Sequence, residues 1–199
     1  MFREVISSLL KTMEPEEVSL RPRELHDQEH DQDFSPVGVN DVWPQGQHDK
    51  WGHFGLWMHA GIEAFSGEFN WLKIWWTNKN PRLITKYYLD TCRRIGGKSQ
   101  DYSYALVVTI DVISGAPMFT QSDPGTENYG VANVHTLIRN RLDPNLANSL
   151  QHHFAARPNN IHSEFRWTSF WRDFSPGFGD ELQKGVDHGW YNVNETLDK

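Results

Sequence analysis

The 199 residues amount to one ordinary domain with some tail, and a 13% aromatic content with nine Trp excludes a wholly disordered chain. A formal charge of −7 excludes a general attraction to nucleic acid, so any contact with phosphates would need a local basic patch or bridging metal ions. A single Cys, Cys92, excludes an internal disulfide framework, and neither a signal-peptide pattern nor an apolar run of spanning length occurs. These features point to an intracellular location, the nucleus included, with no membrane partner.

Residues 2–13 (FREVISSLLKTM) place Val5, Leu9 and Leu10 near one helical face and predict a short helix. The acidic, His-rich stretch that follows, ending at Ser35-Pro36, reads as a linker, so residues 1–36 form a poorly ordered N-terminal segment ahead of a domain at 37–199. Within it HDQEH (His26 to His30) matches a zinc-protease pattern, but it lacks the apolar flank that would bury a helix, and solvated linker is the better reading.

From Val37 the texture becomes aromatic. FGLWMHAGIEAF (54–65) and FNWLKIWW (69–76) read as strands joined by a Ser66-Gly67 turn, an antiparallel hairpin. The second strand carries apolar residues on both faces, so Trp71, Trp75 and Trp76 are expected in the core rather than stacked on bases. Asn80-Pro81 starts a helix that Gly96-Gly97 closes. YALVVTIDVI (104–113) and APMFTQSD (116–123) read as strands, and 131–142 as a helix. A last helix starts near Asn160, contains IHSEFRWTSFWRDF and stops at Ser175-Pro176-Gly177. Its phase sets Ile161, Glu164, Phe165, Thr168 and Trp171 on the arc facing the sheet. The sum is an α/β domain with helices on a mixed sheet.

Two acids stand out. Asp123, in QSDPGTEN, falls where a strand ends, the edge at which open α/β sheets bind ligands; by itself it also reads as a turn residue before Pro-Gly. Glu164 falls on the apolar arc, where an unpaired carboxylate would cost roughly several kcal/mol, and a buried Arg partner would explain it equally well. As a pair, a strand-end and a helix carboxylate suit divalent metal ions.

The stretches GQHDKWGHFGLWMHAGIEAFSGEFNWLKIWWTNKNPRLITKYYLDTCRRIGG, QSDPGTENYGVANVHTLIRNRLDP and NNIHSEFRW resemble the integrase-core domain of transposon-derived proteins common in fungi. That family is similar to retroviral integrases and DDE transposases of the ribonuclease H-like fold. The resemblance spans about Asn40 to Trp190, with one interruption. It implies a ribonuclease H-like mixed sheet, DNA integration by metal-dependent phosphodiester strand transfer, Mg²⁺ or Mn²⁺ as cofactor, and DNA and a further copy of the chain as partners.

In that family the triad is Asp, Asp, Glu. The second acid matches Asp123 and the third Glu164, which lie 41 positions apart and would be the metal ligands. The first should lie three residues before the aspartate of His-Asp-Lys, and that position is Gly46. Asp49 is the nearest substitute for the catalytic role, but it lies about 10 Å further along a strand and on the other face. A degenerate site is therefore expected, and a non-catalytic descendant that binds nucleic acid or protein is the alternative. The second departure is the insertion 98–114, read as an extra hairpin or as a translated intron. The chain is also expected to be a fragment.

Overall fold

Val42–His48 forms β1, the strand on which the rest of the domain is assembled. Its side chains alternate between two buried faces: Trp43 goes to one core, while Val42, Pro44, Gly46 and His48 occupy the other face. Antiparallel β2 (Trp57–Ile62) flanks it on one side, continuing into β3 (Phe69–Trp75) through the expected hairpin. Parallel β4 (Phe119–Ser122) flanks it on the other, followed by parallel β5 (His152–Phe154). The sheet order is β3-β2-β1-β4-β5. This computed structural model describes residues 36–96, 114–155 and 161–195, without the side chains of 161–163. All of them fall in one compact unit, Ser35–Lys199. The helix read over 2–13, the His26 to His30 motif, the strand at 104–113 and all but Ser114 of the 98–114 insertion lie outside the described residues.

Four helices complete the described α/β architecture. Helix α1 (Pro81–Gly96) starts where Asn80 predicts, the Asn80 side chain accepting from Arg82 N–H at 3.0 Å. Helix α2 (Tyr129–Leu142) follows a 3-10 turn at Thr126–Asn128. Against one face of the sheet, Ile84, Tyr88 and Cys92 of α1 and Val131 and Ile138 of α2 enclose Trp43 and Trp71. The Trp43 ring meets Trp71 and Tyr88 edge-on at 6.4 and 6.1 Å, a geometry that aromatic quadrupoles favour. Helices α3 (Ile161–Asp173) and α4 (Ser175–Asp187) build the other core, in which Trp51, Met58, Ala60 and Trp167 are backed by Phe170, Trp171, Leu182 and Val186.

Three expectations are corrected. Helix α3 stops at Asp173, as Ser175-Pro176-Gly177 predicts, but it is not the last helix: the same residues open α4, since Pro is tolerated in a first turn, where no helical N–H bond is required of it. The face of α3 turned to the sheet carries Trp167, Phe170 and Trp171, whereas Glu164, Phe165 and Thr168 are exposed. Glu164 is therefore not a carboxylate facing a core. Finally, β3 is not buried on both faces, because it is the outermost strand: Trp71 is in the core, but Trp75 and Trp76 are 50% and 65% exposed.

Buried histidines link strand to strand and helix to helix. His152 on β5 bonds Thr120 Oγ1 through Nδ1 (2.8 Å) and Ser122 Oγ through Nε2 (3.0 Å). His135 on α2 meets Tyr88 Oη at 2.8 Å, and His59 on β2 accepts from Trp71 Nε1 at 3.0 Å. Burial is the main cause that lowers their pKa values, to about 3 for His59 and His152 and about 4 for His135. An unfolded chain protonates these rings near pH 6.5 while the folded one resists, so stability is complete above that value and is lost as pH falls. Urea midpoints should drop between about pH 7.5 and about pH 5, by up to roughly 2 kcal/mol per histidine. A flat profile would contradict the neutral, buried state of all three.

Candidate functional site at the carboxyl end of the central strands

The pairing of β1 with β4 sets this end of the sheet. Val42 pairs with Phe119, Trp43 with Thr120 and Pro44 with Gln121. Continuing that register by two residues sets Gly46 level with Asp123, the residue immediately after β4. Positions level with one another on neighbouring strands project to the same face. For Gly46 that face is shared with Ala60, its partner on β2, and lies under α3. Two residues on, the His48 ring lies 4.9 Å from Trp167 and 5.2 Å from Trp171 of α3. Burial, and secondarily the Lys50 charge, lower its pKa.

The residues of SDPGTEN lock the turn after β4. The Asp123 carbonyl accepts from Gly125 N–H (2.8 Å), Ser122 Oγ (2.9 Å) and Asn128 Nδ2 (3.1 Å). Asn128 is wholly buried, and its Oδ1 accepts from Gln45 Nε2 of β1 at 3.4 Å. It therefore braces the turn against the central strand. A Cβ at Gly125 would displace the Glu127 carboxylate from its present position.

A second group of charges gathers on the opposite face of the end of β1. Glu127 is buried and accepts from Gln47 Nε2. Lys79 Nζ lies 3.9 Å from both Glu127 Oε1 and Asp49 Oδ2. Asp49, just beyond β1, accepts from Asn78 Nδ2 at 2.6 Å, and the same amide donates to Met58 O at 3.1 Å. The loop between β3 and α1 is thus pinned to the end of β1 by one amide and one ammonium.

Of the residues singled out from sequence, Asp123 ends β4 beside Gly46, Asp49 joins Asn78, Lys79 and Glu127, and Glu164 is exposed in the first turn of α3. Among the described residues no three His, Cys, Asp or Glu side chains are grouped so as to hold a metal ion. Sequence reasoning gave no role to Glu127 or Asn128, although both sit in the quoted motif, and nothing marked Asn78 or Lys79 beyond their place before a helix start. The chain matches no protein-family model, no curated protein and no solved structure in comparisons with each.

Asn128→Ala removes both ends of the brace, the bond from the Gln45 amide and the bond to the Asp123 carbonyl. It should cost about 1–3 kcal/mol in urea unfolding. An unchanged midpoint would contradict the role given to Asn128.

Proposed function

We propose that residues 37–199 form an integrase-core domain of the ribonuclease H-like, DDE transposase type, which has lost metal-dependent strand transfer and keeps a role in binding nucleic acid. A mixed sheet with helices on both faces agrees with the fold that the motif resemblance implies. The observation that carries the reading is the β1–β4 register, which sets the position expected for the first acid, Gly46, level with the second, Asp123. Such a coincidence is demanded of a shared site and not of unrelated residues.

Two ions about 3.5–4 Å apart, activating the attacking oxygen and stabilising the leaving one, require a carboxylate that bridges them. The residues present do not fit that arrangement. Gly46 supplies no ligand. Asp49 projects to the other face, where Asn78 and Lys79 engage it. Glu164 stands exposed on α3. Asp123 and Glu164 are what remains of a triad, and Mg²⁺ or Mn²⁺ would be held there only with the missing acid restored. DNA is the partner implied, and no helix of the described residues is long and apolar enough to cross a membrane.

Calorimetric titration of Mn²⁺ into the unmodified chain and into Gly46→Asp tests this, alongside nicking of plasmid DNA. The variant should gain affinity by about tenfold or more, worth roughly 1.4 kcal/mol, and the unmodified chain should not nick. Tight binding of two ions with nicking by the unmodified chain would refute the loss of activity. No gain in Gly46→Asp would refute the assignment of position 46.

A further inference from the structure

The outer edge of the sheet carries a feature that the Gly46–Asp123 end does not use. Among the described residues strand β3 has a neighbour on one side only, and at its end Trp75 and Trp76 are 50% and 65% exposed, beside an exposed Ile74. Exposed indoles are costly to keep in water without a partner, and here two stand in succession where β3 ends.

The charge around them is opposite to that of the whole chain. Between Glu68 and Asp90 the sequence carries Lys73, Lys79, Arg82 and Lys86 and no acid, in a protein whose 26 acids outnumber its 19 Lys and Arg. Lys86 pairs with Asp90, and Lys79 is shared by Asp49 and Glu127. Lys73 and Arg82 are exposed and make no ion pair among the described residues. Lys73 and Trp75, two apart on β3, share a face. Arg82 lies in the first turn of α1, just after the loop that leaves Trp76.

We infer that the β3 edge and the start of α1 form a platform for single-stranded nucleic acid, with bases stacking on Trp75 and Trp76 and phosphates meeting Lys73 and Arg82. Every base offers a π-face to an aromatic side chain, but only an unpaired strand has those faces available, and basic groups beside exposed aromatics are the recurring means of holding one. Duplex recognition would instead call for side chains directed at a groove. A second copy is the less suitable occupant, because a two-fold pairing of β3 edges would gather Lys73 and Arg82 of both chains into one patch. The inference rests on the nucleic-acid side of the reading above, specifies the state of the strand, and uses a surface separate from Gly46 and Asp123.

The test uses the full chain, fluorescently labelled oligothymidylate of about 15 nucleotides, and a duplex of equal length. The single strand should bind more tightly than the duplex. Trp75→Ala and Trp76→Ala should each weaken it by about tenfold, with Trp76→Phe retaining most of the affinity because it keeps an aromatic face. Lys73→Gln and Arg82→Gln should each lower the slope of log affinity against log salt by about 0.7. Melting temperatures of these exposed-site variants should match the unmodified chain. Absence of single-strand binding, preference for the duplex, or affinity indifferent to both Trp substitutions would overturn the inference. So would a sedimentation result in which the Trp variants split a dimer while oligothymidylate binding is unchanged. None of these outcomes bears on metal binding by Gly46→Asp, so the two readings fail separately.

Discussion

Parallel pairing of β1 with β4 is the constraint on which the domain depends. A parallel pair needs a long connection, here one that includes β2, β3 and α1, and it places the carboxyl ends of both strands at one edge of the sheet. Trp43 on β1 enters the core under α1 and α2, while its neighbours Val42 and Pro44 lie on the opposite face, the one on which His48 meets α3. A slip of one residue would exchange these sets, exposing the helices of one side to Gln45 and Gln47 and burying Trp43 against the wrong partners. The register is further held at its end by Asn128, whose amide reaches the Asp123 carbonyl and whose carbonyl receives Gln45. One buried side chain thus fixes where the turn sits relative to the central strand.

Polar groups at this end of the sheet are distributed between two faces, and that separation explains why proximity in sequence is misleading. Gly46 and Asp49 are three residues apart, but alternation sends them to opposite sides, one beside Asp123 and the other beside Lys79. Lys79 brings a positive charge between two carboxylates, which offsets the cost of keeping Glu127 buried.

Much of the fold was legible because it is written in local patterns. The β2–β3 hairpin follows from two aromatic runs about a Ser-Gly turn, α1 from Asn80-Pro81 and helical spacing, and α2 and β4 from short apolar periods. The limits of β1 were obscure, since Pro44, Gln45, Gly46 and Gln47 are poor strand formers and its character comes from neighbours on both sides. β5 is three residues long, and its His152 is paid for by hydroxyls on β4, a partner that no local window contains. Pro176 signals a helix start as well as a stop, which hid α4. The phase of α3 was misjudged because Phe165 and Phe170 support different arcs, and only contact with Trp51 and Met58 selects the second. Exposure of Trp75 and Trp76 depends on β3 being an edge, which is a property of the sheet and not of the strand. For the site, the strand-end location of Asp123 was readable, whereas the bracing by Asn128 and the approach of Lys79 to Glu127 join segments distant in sequence.

The central claim is that positions 46 and 123 lie side by side, facing the same way. A cross-link tests it without invoking chemistry of the site: Gly46→Cys combined with Asp123→Cys, oxidised mildly and read by mass spectrometry of the linked peptides. Adjacent strand positions fall within the Cα separation of about 4.4–6.8 Å that a disulfide accepts. The native Cys92 is buried, with its thiol pushed up to about 12, and should not compete. The account predicts that the 46/123 pair closes and that Gln47→Cys with Asp123→Cys, directed to opposite faces, does not. Closure of the 47/123 pair with the 46/123 pair left open would contradict it.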